Sequence, residues 1–408
     1  VSALLVLLFL LSVGTIASRP GAVAGFVDRV ATPLLIITGV ASAPAGLAVL
    51  SPSLVHGLEP ALAVGVTWIG ILVGLRSASH DFSDSKGNVR AALVVVVSTG
   101  SSVLLAMAAM TVPKALGFRF DDSFHMIAGA ALLLGGALVG SPPVDAASRA
   151  DLAMRSHLVD VGDLVATVCA VVAIAILPSW SALTPELAAT VVVGGGLLLA
   201  LVQRLLGGSA TDDAATRIIA LLGVVAVAAG LLHAAGLPSA LSGLVAGVVL
   251  SRTELGKALR EGLSPTERPA RIVVAFLVGT MIPLSTTAFV VGVLLALGQL
   301  GVQLVATSWA VGHRPSTKAL ASGLTSSAVP LVVAASYALA GFPEGELLLA
   351  TAAVAVVTTD LSAAAIAVVG RLLTHAPKPP SPTPPSMTPP GAVASSAVTP
   401  SPEFSHGG

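Results

Sequence analysis

Charge is scarce in this chain. Of its 408 residues only 10% are Asp, Glu, Lys or Arg, 55% are hydrophobic, and the mean hydropathy is +0.97. A soluble protein of this length carries about a quarter charged residues, so the composition excludes one and describes a polytopic membrane protein. Acids and bases cancel to a net charge of zero. With no basic stretch interleaved with aromatics, a nucleic-acid partner is excluded as well. The single cysteine, Cys169, rules out a disulfide framework and a multi-cysteine metal site. A glycine-rich phosphate loop ending in Lys-Ser or Lys-Thr is missing too, which excludes transport driven directly by ATP within this chain. No cofactor is expected.

What the chain has instead is a series of apolar runs separated by short polar stretches. Each run is read as one helix crossing a bilayer, about thirteen in all, at roughly 1–17, 31–50, 59–75, 90–112, 124–147, 157–177, 186–205, 216–235, 238–251, 271–284, 286–311, 317–340 and 346–370. The basic residues test the alternation. Arg19, Arg29, Arg76, Lys86, Arg90, Arg149, Arg155, Arg204, Arg217, Arg252, Lys257, Arg260, Arg268, Arg271, Arg314, Lys318, Arg371 and Lys378 all fall on one side, and only Lys114 and Arg119 fall on the other. By the positive-inside rule the N-terminus is outside and the C-terminus cytoplasmic. Residues 1–17 lack a positive n-region, and Ile16-Ala17-Ser18 is a poor cleavage site, so this run is read as a span rather than a signal peptide. The transmembrane domain is expected over 1–372. A Pro/Ser/Thr-rich tail, opening around Lys378-Pro379-Pro380-Ser381, is expected to be disordered and cytoplasmic over 373–408.

Asp163 is the most informative residue. It lies roughly six residues inside the apolar run 157–177, where a carboxylate costs about 2.5–3.5 kcal/mol on insertion scales, and a membrane protein that keeps one there usually needs it for an ion or a proton. The preceding run breaks at Ser141-Pro142-Pro143. Proline frees a backbone carbonyl, tolerable in a bilayer only where that group finds a partner or lines a cavity. A broken helix beside a buried acid is a recurrent arrangement for cation binding in secondary transporters.

Taken in order, the segments resemble the cation/proton antiporter superfamily, the monovalent cation/proton exchangers. The likeness extends over roughly residues 1–372. Residues 58–75, ending Ile71-Leu72-Val73-Gly74-Leu75, are similar to its third helix. Residues 132–143 are similar to the segment that ends in Thr or Ser followed by Asp-Pro, and 159–165 to the segment carrying an Asn-Asp or Asp-Asp pair. Gly236-Leu237-Pro238-Ser239-Ala240-Leu241 with 243–251 looks like its leucine-serine and glycine-leucine-valine helix pair, and 276–279 like its Phe-rich segment before a glycine.

The resemblance implies an all-α fold of inverted repeats in which two discontinuous helices cross, one broken at Pro142 and Pro143, the other near Thr325-Ser326-Ser327 and Pro330. It implies exchange of a monovalent cation, Na+ or K+, for protons in a bacterial-type inner membrane, by a homodimer among membrane lipid. A hard cation wants oxygen ligands, which Asp163, freed carbonyls and the hydroxyls of Ser141, Thr325 or Ser326 can supply. Burial favours the neutral acid and a cation favours the carboxylate, so the two displace each other. Only a neutralised core crosses the apolar barrier cheaply, which couples the flows.

The chain also departs from the pattern. Gly162 stands where the family has Asn or Asp, Pro142 where it has Asp, and Gln299 where electrogenic members have lysine; around 326–329 Ser and Ala replace an Arg-Gly-Glu-like stretch. The charged partners of the aspartate are gone. Asp360, in Thr358-Thr359-Asp360-Leu361, is deep enough in its run to be a second ionisable site, a role weighed against a helix-packing contact. Asp160 is read as a solvated helix-end charge, Asp145 as part of the inner interface, and the eight histidines are assigned no role. An intramembrane aspartyl protease, prompted by Asp160 and Asp163, lacks its second site, because the only tyrosine, Tyr337, has no acid beside it. The stronger alternative is a non-transporting or regulatory membrane protein on the same fold.

Overall fold

A computed structural model of the chain describes residues 24–77, 96–97, 99–109, 111, 130–131, 134, 165, 168–173, 176, 184–209, 214–311, 329–342 and 344–374. Among them every regular element is a helix: α1 (Ala24–Ser42), α2 (Pro52–Ser77), α3 (Thr99–Ala109), α4 (Pro185–Ser209), α5 (Ala214–Ala234), α6 (Ser239–Ser251), α7 (Glu254–Met281), α8 (Thr286–Val311), α9 (Val329–Leu339) and α10 (Gly345–Thr374). Within this set Pro52–Arg76, Glu186–Leu205 and Gly345–Ile366 are long and apolar enough to cross a membrane, and seven shorter apolar helices accompany them. The chain is a multi-pass helical membrane protein. The expected runs at 1–17, 124–147 and 157–177, and the tail, lie wholly or largely outside the described residues.

Three boundaries differ from the expected ones, each for a physical reason. The second helix does not start at residue 59 but at Pro52, whose missing N–H costs nothing in a first turn, and it continues through Pro60. Run 31–50 is displaced: α1 occupies Ala24–Ser42, and Ser42 to Leu50 forms a turn closed by Leu50 N–H donating to the Ser42 carbonyl (2.9 Å). The largest shift is in α7. The expected run covers only 271–284, yet the charged stretch before it, rich in Lys, Arg and Glu, is helical from Glu254, where the Thr253 hydroxyl caps the Gly256 N–H (3.1 Å). An amphipathic helix with one charged face has the composition of a polar loop, which is why the two are confused.

Tight turns join consecutive helices. α5 ends at Gly236, whose φ of +64° suits a residue without Cβ. Its N–H donates to the His233 carbonyl (3.0 Å) and that of Leu237 to the Leu232 carbonyl (2.9 Å), a Schellman closure. The α9–α10 turn repeats this at Gly341.

Two helix crossings are made backbone to backbone. A Cβ added to Gly39 of α1 would stand 2.8 Å from the Gly279 Cα of α7 and nearer still to the Phe276 carbonyl oxygen; one added to Gly279 would meet Gly39 and the Ile36 carbonyl. A Cβ on Gly247 of α6 would stand 2.8 Å from the Gly74 Cα of α2 and nearer the Ile71 carbonyl; one on Gly74 would meet Gly247 and the Leu244 carbonyl. The second crossing reproduces the first with the halves of the chain exchanged. Ile36 and Gly39 correspond to Leu244 and Gly247, and Ile71 and Gly74 to Phe276 and Gly279.

The α2–α6 seam is extended by Gly70 against the Ala240 carbonyl and Gly243 against the Thr67 carbonyl. Small residues at such spacing let membrane helices approach closely, where packing rather than water exclusion holds them together.

Candidate functional site

Membrane helices tolerate polar side chains where each finds a partner. Several such nodes lie in the core. The Thr67 hydroxyl donates to the Ala63 carbonyl (2.7 Å), and the Ser336 hydroxyl accepts the Ala240 N–H (3.1 Å) at the start of α6. Ser242 donates to the Val192 carbonyl (2.9 Å), linking α6 to α4. The tyrosine considered above only for a protease has a different place. Tyr337 is fully buried in α9, its ring edge-on to Phe342 with centroids 6.0 Å apart, and its hydroxyl donates to the Ala170 carbonyl (3.3 Å). Ala170 lies in the run expected over 157–177, so this bond ties the described part of that run to α9.

Asp360 is 7% exposed and is the only buried acid among the described residues. On α10 it continues a buried stripe through Leu349, Ala353 and Val356, whose three- and four-residue steps mark one helix face. Its neighbour Thr359 is 3% exposed and continues an adjacent stripe through Leu348, Ala352 and Ala355. Both stripes face away from Leu361, which is exposed. α10 packs against α8, where Gly292 makes room for Val354 and the Thr351 carbonyl.

Gln299, two turns beyond Gly292 on α8, is 1% exposed. Its side-chain oxygen accepts from the Ser102 hydroxyl (2.6 Å), and the adjacent Gly298 is a notch filled by Leu105 of α3. Pro330 is buried in the described part of α9. Asp163, Ser141, Pro142, Pro143, Thr325 and Ser326 lie outside the described residues.

The positive side holds a second polar feature. Glu267 of α7 bridges Arg76, at the end of α2, and Arg271, one turn along its own helix. Beside it the Trp68 indole N–H donates to the Thr266 hydroxyl (3.1 Å). The bridges fasten α2 to α7. The apolar groove of about 410 Å3 between α4 and α5, lined by Val191, Leu198, Val227 and Leu231 among others, offers no polar side chain and so no cation ligand.

No protein-family model matches the chain, and no curated protein matches it. Among solved structures it is similar to the sodium proton antiporter of Methanocaldococcus jannaschii, with a TM-score of 0.51, covering 92% of this chain and 98% of that one at 18% sequence identity. The fold is therefore that of a sodium/proton antiporter.

Proposed function

We propose that this chain is a secondary transporter that exchanges a monovalent cation, Na+ or K+, for protons by alternating access. The observation that carries the reading is a buried acid, Asp360, on a helix face of an antiporter fold. A charge is costly to bury there, and a membrane protein that keeps an acid at such a depth usually uses it to hold a proton or a cation. The neighbouring structure's own ions, sodium and protons, fit that chemistry. Asp163 is the principal carrier, ligated with Ser141 and with Thr325 or Ser326, near helix breaks at Pro142, Pro143 and Pro330; Asp360 is the second ionisable site. Gln299 lines the pathway as a neutral group where the electrogenic exchangers have lysine.

Residues 1–372 form the transporter, a dimer in the inner membrane of a bacterial-type cell. The N-terminus faces out, and the tail over 373–408 lies in the cytoplasm. Thirteen spans in inverted repeats with two crossing, discontinuous helices complete the architecture, and the exchange of partners between the two glycine crossings supports it.

The test is proton release from proteoliposomes on adding sodium, lithium or potassium, comparing the chain with Asp163→Asn, Asp360→Asn and Gln299→Lys. Asp163→Asn abolishes the signal if the reading holds. A signal that survives Asp163→Asn and is lost in Asp360→Asn moves the site to α10. No cation-dependent proton movement in the unaltered chain leaves the non-transporting protein as the answer.

A further inference from the structure

The Thr359 hydroxyl is buried, with no hydrogen-bond partner. That is unusual for a threonine in a helix of this chain. The hydroxyls of Thr67, Thr190 and Thr280 each donate to a carbonyl of their own helix at 2.7 Å, the ordinary way such a side chain is satisfied in a membrane. Thr359 makes no such bond. A buried polar atom left unsatisfied destabilises the fold that contains it, and in a native protein it marks a place that water, an ion or a ligand completes. The next residue is Asp360, the buried acid, and the helix faces leading to both carry Ala352, Ala353 and Ala355.

We propose that Thr359 is a specificity-determining cation ligand, its hydroxyl oxygen and a carboxylate oxygen of Asp360 together holding an alkali cation on α10. The proposal deepens the exchanger reading and rests on it for the cation's role as cargo. A hydroxyl and a carboxylate are hard oxygen donors suited to a dehydrated alkali ion. Their contributions differ. The carboxylate serves proton and cation alike, whereas the neutral hydroxyl matters only to the cation, so Thr359 sets cation affinity without setting the proton affinity of the acid.

The test compares the full chain with Thr359→Val, Thr359→Ser and Asp360→Asn, using sodium, lithium and potassium chloride against choline chloride. Thermal unfolding in detergent is read alongside cation-driven proton release in proteoliposomes. Thr359→Val, isosteric and apolar, is expected to unfold no earlier than the unaltered protein in choline, to lose the cation-dependent rise in unfolding temperature, and to need about tenfold more cation for half-maximal proton release, while Thr359→Ser restores both. Unchanged half-saturation and cation stabilisation in Thr359→Val overturn the proposal, as does a loss of stability in choline with half-saturation unchanged, which marks a structural role. Cation stabilisation lost in Thr359→Val, in a chain that moves no protons, leaves the site standing and removes the exchanger. A chain that no cation stabilises removes the site.

Discussion

Gly39 and Gly279 meet backbone to backbone, and each fills the space in which the other's side chain would stand. Gly247 and Gly74 make the same contact elsewhere in the chain, with the partner halves exchanged. Two equivalent pivots follow, each joining a helix from one half of the sequence to a helix from the other. Neither surface can slide without lifting over a backbone. The helices of the two crossings also pack against α9 and α10, which bear Tyr337 and Asp360.

Placing a methyl group in either crossing is expected to be costly. Gly247→Ala and Gly39→Ala drive Cβ into backbone atoms that have no rotamer to yield, so each should destabilise by about 1–3 kcal/mol or more. Gly223→Ala, on α5, meets open space and should be neutral or stabilise by about 0.5–1 kcal/mol through helix propensity. Thermal unfolding of detergent-solubilised protein separates the cases. Equal effects at the three positions would contradict the backbone contact.

Much of the fold is legible in the sequence. The runs 186–205, 216–235, 238–251, 286–311 and 346–370 coincide with α4, α5, α6, α8 and α10 to within a few residues, because apolar length is a direct consequence of bilayer thickness. Asp360 and Gln299 stand out for the same reason, as polar groups inside apolar runs. Ser102, Tyr337 and Thr359 do not. Hydroxyls are common in membrane helices, and the partners of Ser102 and Tyr337 lie 197 and 167 residues away along the chain, a separation no local pattern encodes. Thr359 is marked by a bond it does not make, which only coordinates reveal. The helical start of α7 was hidden by its own charges.

The Glu267 bridge is expected to behave as a unit. Glu267→Ala strips two arginines of their carboxylate, both at the edge of the apolar region and partly hydrated, and should cost about 2 kcal/mol, whereas Arg76→Ala leaves Glu267 its second partner and should cost less. A double-mutant cycle between Arg76→Ala and Glu267→Ala measures the coupling. A value near zero would show that water replaces the pair.

Tyr337→Phe removes one hydrogen bond and little volume. The expected loss is about 0.5–1.5 kcal/mol, and since the Ala170 carbonyl belongs to the run expected over 157–177, which includes Asp163, proton release should slow as well. Stability and transport measured on the same preparation show whether the bond links the two. Transport unaffected by a destabilising Tyr337→Phe confines the bond to packing.

Gln299→Lys asks what surrounds a buried amide of α8. In the present arrangement Ser102 donates to the Gln299 oxygen at 2.6 Å, an arrangement an ammonium group reverses, because lysine has only donors. Ser102 can turn and accept instead, so its hydroxyl does not forbid the change. The charge itself decides the outcome. A lysine without a carboxylate in reach costs several kcal/mol in such a setting and either loses its proton or unfolds the helix pair. If Asp163 or Asp360 comes within reach during transport, the lysine is neutralised in the empty carrier and displaced when a cation binds. Gln299→Lys should then fold, and its proton release should become dependent on the membrane potential. Asp360→Asn in the Gln299→Lys background identifies the partner: an additional loss of stability of about 2 kcal/mol or more assigns it to Asp360, and an unchanged melting temperature assigns it elsewhere.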